Sequence, residues 1–181
     1  MTTDERRKWE LSLHEAGHAI VAESEGVAVE GACLLRDNAG ICWHGHCGAF
    51  SGALIAAAGL SADALSPGIE MPEAPATPSP LATAVDVVGT SSTGDEPPSW
   101  MTDTPPAPVV SDARCLALWC ITGLETEPER WAERRCWVLG LAEKILHDHQ
   151  ARWVALAARL YRAGFLLPEH ARVLHDDEGK R

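Results

Sequence analysis

The amino-acid sequence predicts a mainly α-helical fold with one small β-hairpin and a proline-rich insertion. Apolar residues recur at helical spacing at both ends of the chain, two strand-like runs flank a turn-forming segment, and most prolines lie in one stretch. The 181 residues, of which 46% are hydrophobic, suffice for one domain with an appendage. We expect residues 1–66 to contain a first helix, the hairpin and a second helix, residues 67–110 to form the insertion, and residues 111–181 to complete the same domain.

The charge and hydropathy of the chain argue against several classes of partner. The formal net charge is −11, which disfavours a nucleic-acid footprint and docking on an anionic membrane surface. The best apolar run, residues 52–60, is much shorter than the ~18 residues that a membrane span needs. The residues after Met1 are polar and charged, unlike a secretory signal. We therefore predict no nucleic-acid partner, no membrane span and a cytoplasmic protein.

Local signals define the first helix. Thr2 and Glu5 have the spacing of a capping box, in which each side chain binds the other residue's backbone N–H. Gly26 is a suitable stop because glycine readily adopts the left-handed conformation at which helices end. Four apolar residues at helical spacing predict the buried face of this helix: Trp9, Leu13, Ala16 and Ile20.

Two short strand-like runs follow the first helix. Residues 27–35 and residues 41–46 are separated by a segment with turn chemistry, residues 37–40. We therefore expect the two runs to pair as an antiparallel hairpin. An alanine-rich second helix is predicted over residues 51–65.

Proline defines the insertion. Ten of the twelve prolines lie in residues 67–108. Because proline removes a backbone donor and blocks helices, this stretch cannot form a long regular element. We expect a flexible insertion, mobile or extended, with one short ordered piece at residues 81–88.

The C-terminal part is predicted to be helical. Ser111 is a suitable N-cap for a helix over residues 112–122. A second helix begins near Pro128 and continues, with or without a kink, to about Arg162. A short last helix is expected over residues 168–174, followed by a frayed polar tail. Four tryptophans in these helices are expected to pack in the core: Trp119, Trp131, Trp137 and Trp153.

The motif that carries chemistry is His14-Glu15-Ala16-Gly17-His18, which matches H-E-x-x-H. Residues four apart lie on one face of a helix, so the two histidines can bind one metal ion, and zinc suits mixed imidazole and carboxylate ligands. Glu15 lies beside the first ligand and can accept a proton from a water molecule that the metal activates. Gly17 costs a helix about 1 kcal/mol relative to alanine, so we expect another element to pack closely there. The alternative is an amphipathic helix with two surface histidines.

A catalytic zinc site needs a third protein ligand. The metzincin continuation would place glycine and histidine where this chain has Val21 and Ser24, so that class is excluded. A carboxylate from elsewhere must complete the site. Asp112 is our prediction because it opens a helix after the insertion, where its side chain can point back to the first helix. Three other aspartates stay as alternatives that spacing does not decide: Asp86, Asp95 and Asp103.

Residues 13–22, which read LHEAGHAIVA, resemble the zinc-binding helix in the peptidase domain of the FtsH family of ATP-dependent membrane proteases. As in that family, a short hairpin and a small-residue helix follow, here with residues 58–63 in place of an Ala-Gly-x-x-Ala-Glu string. The family's third zinc ligand is an aspartate that heads a later helix, and Asp112 is the best match. The chain departs from the family at Asp63, where glutamate is usual, and at Ala113, where leucine is usual.

The resemblance implies a zincin-like helical metallopeptidase domain. In it, His14, His18 and Asp112 would bind Zn²⁺, and Glu15 would be the general base. The sequence contains no P-loop motif that could power unfolding. The implied activity is therefore a free-standing endopeptidase that hydrolyses flexible or unfolded polypeptides, with a separate ATPase as a candidate partner and the oligomeric state left open.

Two features allow other interpretations. Cys42, His44, His46 and Cys47 offer four soft ligands, but strand alternation directs the last away from the other three. We therefore favour a strand near the cleft with an adventitious His/Cys cluster over a second metal site. A third interpretation is that His44 or His46 lines the substrate groove. All six cysteines are expected to be reduced thiols. The alternative function is a non-enzymatic, peptidase-like protein-interaction module that docks through the proline-rich insertion.

Overall fold

The computed structural model describes residues 1–35, 39–72 and 111–168. This part of the chain is mainly helical with a small three-stranded sheet, which confirms the predicted fold class at that level. The helices are α1 (Thr3–Ser24), α2 (Ala49–Leu65), α3 (Asp112–Ile121), α4 (Pro128–Asp148) and α5 (Gln150–Ala163). The strands are β1 (Val29–Leu34), β2 (Gly40–His44) and β3 (Phe165–Leu166).

Several predicted features lie outside the described residues. They are most of the proline-rich insertion with its short piece at residues 81–88, the centre of the hairpin turn, all but the first residue of the last helix, the polar tail, and the alternative ligands Asp86, Asp95 and Asp103.

Helix α1 begins and ends as the sequence predicts. The Glu5 backbone N–H donates to Thr2 Oγ1 over 3.2 Å, and the Thr2 N–H donates to Glu5 Oε2 over 2.7 Å, which completes the capping box. Gly26 adopts a φ of 71°, the left-handed conformation that favours glycine. The predicted core face is buried: Trp9, Leu13, Ala16 and Ile20.

Packing of α1 on α2 explains the glycine inside the first helix. A Cβ atom at Gly17 would lie 3.1 Å from Ala62 Cβ and 3.3 Å from the Ala58 carbonyl oxygen, so the two helices approach closely there. On another face of α1, the Trp153 indole of α5 donates a hydrogen bond to the Leu13 carbonyl over 2.8 Å. Helix α1 is thus held in the core from both sides, with its motif in a fixed orientation.

The predicted hairpin is present but belongs to a larger sheet. β1 and β2 pair antiparallel, and the Leu35 N–H donates to the Ala39 carbonyl over 2.7 Å across the turn. β3 pairs with the other side of β1, where Ala32 faces Leu166, and this two-residue strand was not predicted. Among the strands of the described residues, the sheet order is β2-β1-β3, so β2 lies at the edge.

The C-terminal helices follow the prediction with one difference, at the start of α3. Ser111 occupies the N-cap of α3, but its side chain makes no capping hydrogen bond; its carbonyl accepts from the N–H groups of Arg114 and Cys115 instead. The long second helix is broken at His149, where φ is −110° and ψ is 23°, into α4 and α5. Gly164 ends α5 with a φ of 80°.

The prediction that four tryptophans pack in the core is wrong for one of them. Trp153 is 1% exposed, whereas Trp137 is 57% exposed. Trp119 and Trp131 lie between these extremes. Helical spacing marks an apolar face but does not say whether another element covers it.

Helix α2 is more apolar than the sequence analysis recognised. With the turn behind it, Ala49–Gly68 has a mean hydropathy of 1.4 and is, among the described helices, the one long and apolar enough to cross a membrane by length and composition alone. Of its most apolar window, 56% is buried inside the protein, where α2 contacts α1, α3 and α4. These contacts are typical of a core helix.

Candidate metal centre

The structure brings together the three residues that the sequence analysis assigned to a metal. His14 and His18 lie one turn apart on α1, with ring centroids separated by 4.8 Å. Asp112 opens α3, and its Oδ2 atom lies 3.0 Å from His14 Nε2 and 3.2 Å from His18 Nε2. The three ligand atoms lie within 4.8 Å of one another, and this group could hold a metal ion.

The two distances from Asp112 to the imidazoles fit a four-coordinate ion. Bonds of about 2.0 to 2.2 Å in a tetrahedral site separate the ligand atoms by roughly 3.3 Å. The two distances from Asp112 to the imidazoles, 3.0 and 3.2 Å, are close to that value. Two imidazole nitrogens and one carboxylate oxygen also leave one position of a tetrahedron for water or substrate.

Hydrogen bonds on the far side of each ring set the imidazole tautomers. His18 Nδ1 lies 2.7 Å from the Ile55 carbonyl oxygen, and a carbonyl only accepts, so Nδ1 carries the proton. His14 Nδ1 donates in the same way to Asp63 Oδ1 over 2.9 Å. Because Nδ1 keeps its proton, Nε2 is the nitrogen of each ring that would bind a metal, as in the carboxylate–histidine and carbonyl–histidine pairs of metal sites.

The charges of the centre favour a cation. Burial alone would lower the pKa of His14, but its hydrogen bonds to Asp112 and Asp63 raise it to about 10. Burial opposes ionisation of Asp112, yet the hydrogen bonds from both imidazoles hold its pKa well below the usual range. Without a metal, the carboxylates thus draw protons onto the two rings.

Glu15 lies beside the two imidazoles and is 4% exposed. Burial raises the pKa of its carboxyl, and the neighbouring histidines partly offset that rise. The side chain packs directly on the backbone of Gly40 in β2, where a Cβ atom would lie 2.5 Å from Glu15 Cγ and 2.6 Å from Cδ. The edge strand therefore restricts the positions that this carboxylate can occupy.

A second glycine, which the sequence analysis did not assign a role, makes room for the imidazoles. A Cβ atom at Gly59 would lie 2.6 Å from the Nε2 atoms of both His14 and His18. Gly59 belongs to the small-residue string of α2, but that string alone does not show which side chains approach it. Asp63, four residues further along α2, was noted only as a departure from the family and proves to be the partner of His14.

A cleft of about 320 Å³ contains the centre. Strand β2 contributes Gly40, Ile41, Cys42 and His44 to its lining. His44 therefore does line the cleft, whereas among the described residues no metal-binding group includes the Cys42, His44, His46 and Cys47 cluster. All six cysteines are free thiols.

Comparison with known proteins identifies no family for this chain: no family model, curated protein or solved structure matches it.

Proposed function

We propose that the protein is a zinc-dependent endopeptidase of FtsH-like type. The observation that carries the proposal is the approach of the two Nε2 atoms to one Asp112 oxygen beside the buried Glu15 carboxylate. Two histidines and one carboxylate form the ligand set of zinc hydrolases, and the remaining coordination position is the one that catalysis uses. The proposed site sits in a zincin-like fold.

Each residue has a distinct role in this proposal. His14, His18 and Asp112 hold the ion, with the tautomers of the two imidazoles set by Asp63 and Ile55. Zinc, when bound, supplies a Lewis acid for the scissile carbonyl and lowers the pKa of water toward ~7. Glu15 accepts the proton of the attacking water and returns it to the leaving amine.

Burial suits Glu15 to that proton transfer. A carboxylate that is removed from solvent is a stronger base than an exposed one, because its pKa moves toward the working pH. Contact with Gly40 also confines the side chain beside the two imidazoles. The carboxylate is thereby held next to the place where a water molecule would be activated.

The edge strand supports a peptide as the substrate. β2 lines the cleft, and because it pairs on one side with β1, its other side can accept an extended peptide by backbone hydrogen bonding. This mode needs a flexible or unfolded segment, since folded proteins rarely present a free strand. We propose such polypeptides as substrates, a separate ATPase as a candidate partner that unfolds them, and the cytoplasm as the location.

The test is hydrolysis of an unfolded protein by the zinc-loaded chain and by its Glu15→Gln variant. We expect the variant to lose about a hundredfold or more of the activity, because the amide cannot accept the proton, while its zinc content is unchanged. Glu10→Gln is the matched control, since Glu10 lies on the same helix in an exposed ion pair with Arg6. Full activity in Glu15→Gln would contradict the proposal.

A further inference from the structure

Four apolar side chains next to the cleft form a surface that the metal centre does not use. We call Phe50, Leu118, Trp119 and Trp137 the aromatic shelf. The Phe50 ring stacks on Trp137 with centroids 5.6 Å apart and an interplanar angle of 27°, and Trp119 lies 5.7 Å from Phe50. Leu118 is 56% exposed and Trp137 is 57% exposed. Phe50 and Trp119 are half-buried, and exposed apolar side chains next to a cleft are typical of ligand-binding surfaces.

Two residues of the aromatic shelf line a groove that adjoins the cleft of the metal centre, and Phe50 and Trp137 lie beside it through their ring contacts with Trp119. The groove has a volume of about 600 Å³ and includes Leu118 and Trp119. Three residues line both the groove and the cleft: His44, Gly52 and Cys115. The groove and the cleft are therefore adjacent, and a ligand in the cleft can extend toward Leu118 and Trp119.

The distance between the two sites suits an extended peptide. On α3, Trp119 follows Asp112 by about two turns, which is roughly 10 Å along the axis at ~1.5 Å per residue. An extended peptide advances about 3.3 Å per residue. A side chain about three residues from the scissile bond would thus reach the shelf.

We propose that the aromatic shelf is a specificity subsite for one aromatic or large aliphatic side chain of the peptide substrate. The inference deepens the proposed peptidase function and rests on it. Stacked rings bind such a side chain through apolar contact and through offset or edge-to-face ring packing. Arg134 borders the shelf, with its guanidinium 5.2 Å from the centre of the Trp119 ring and hydrogen-bonded to the Thr122 carbonyl. This contact orders one ring before any ligand binds.

The experiment compares cleavage of matched peptides. Each peptide carries either phenylalanine or serine at one of the three positions on either side of the scissile bond. The enzymes are the zinc-loaded chain, Trp137→Ala and Leu118→Ala, with Leu35→Ala as a control because Leu35 is also exposed but lies outside the shelf. Trp137 and Leu118 are largely exposed, so their replacement leaves the core intact.

We expect phenylalanine at one position to lower KM. Trp137→Ala should raise KM for that peptide by about threefold to tenfold with kcat unchanged, because the shelf binds substrate away from the reacting atoms. The serine peptide and the Leu35→Ala control should show no change. An equal rise in KM of Trp137→Ala for the phenylalanine and serine peptides would overturn the subsite, as would cleavage with no preference for phenylalanine. Either result would leave the peptidase proposal intact.

Binding to the Glu15→Gln variant separates the two proposals. If no peptide is cleaved but the phenylalanine peptide binds this variant and Trp137→Ala weakens that binding, the shelf stands and the peptidase function fails. Tighter binding of a proline-rich peptide than of the phenylalanine peptide would overturn the proposed ligand. A dimer in sedimentation that Trp137→Ala converts to a monomer would assign the shelf to a second copy of the chain and overturn the subsite.

Discussion

The two imidazoles of the candidate metal centre lie on the same helix, but they are supported in different ways. On the floor of the cleft, the His18 side chain is 9% exposed and donates to a backbone carbonyl, that of Ile55. At the mouth, the His14 side chain is 18% exposed and donates to the carboxylate of Asp63, itself 56% exposed. The floor is thus fixed by the packing of α1 on α2, whereas the mouth depends on one surface side chain. A substitution can therefore weaken the support of His14 without changing that of His18.

Gly59→Ala would act on His14 and His18 alike and so remove the difference between the two imidazoles. The added methyl group would lie 2.6 Å from the Nε2 atoms of His14 and His18, so at least one ring must turn away. We expect zinc affinity to fall by more than about a hundredfold, since a site that loses a ligand loses a large share of its ~10 kcal/mol or more of binding energy. Competition with a chelator measures the zinc affinity.

The matched control for this change is Gly140→Ala. Gly140 lies inside α4, and a Cβ atom there would meet nothing within 4 Å in the described part of the chain apart from the backbone of its own helix. This variant should bind zinc normally and gain about 0.5 to 1 kcal/mol of stability from the better helix propensity of alanine. Equal zinc affinity in the two variants would show that Gly59 is not close to the imidazoles.

Asp63→Ala tests the mouth alone. Removing the carboxylate leaves His14 Nδ1 without the partner that orients the ring, and such outer partners are worth about tenfold to a hundredfold in metal affinity. His18 cannot lose its partner through a side-chain substitution, because that partner is the backbone carbonyl of Ile55. Ile55→Val keeps this carbonyl and should leave the metal affinity unchanged. Glu70→Ala, which removes another exposed acid soon after α2, is the charge control. Equal affinities for all three variants would contradict the different supports of the two rings.

Acid should weaken metal binding by about tenfold per pH unit for each proton displaced. In the metal-free protein the pKa of His14 is raised to about 10, so below that pH a metal must displace its proton. The pKa of Asp112 is lowered, so this carboxylate stays ionised and adds no pH dependence in the same range. Calorimetric titrations in buffers of different ionisation enthalpy should detect proton release. An affinity independent of pH would mean that the metal binds elsewhere.

The same pKa shift has the opposite effect on the metal-free protein. A raised folded-state pKa contributes stability that is fully present below the unfolded value of about 6.5 and is lost as the pH rises toward the folded value of about 10. With chelator, the thermal midpoint should therefore fall over this range. With zinc bound, the thermal midpoint should not fall. The difference between the midpoints with zinc and with chelator should therefore widen as the pH rises. A constant difference would contradict this linkage.

The sequence predicts the parts of the site that depend on neighbours along the chain. The capping box, the buried face of α1 and the one-turn spacing of His14 and His18 are all local, and the structure has each of them. The start of a helix at residue 112 predicts that the Asp112 side chain can point back toward α1. The structure places it against both imidazoles.

Contacts between distant segments were not predictable from the sequence. Gly40 and Gly59 act on Glu15 and the histidines across loops and helix packing, and no local pattern indicates which side chains meet them. The strand β3 has only two residues, too few for a periodic pattern. Trp137 has the same helical spacing as buried residues, and its exposure depends on where α4 lies relative to its neighbours.

The most direct test of the proposed metallopeptidase is to measure the zinc bound per chain in dialysed, tag-free protein by elemental mass spectrometry. The account predicts about one zinc per chain, lost in the His14→Ala/His18→Ala double variant. Little or no zinc, even after the metal is added back under reducing conditions, would contradict it.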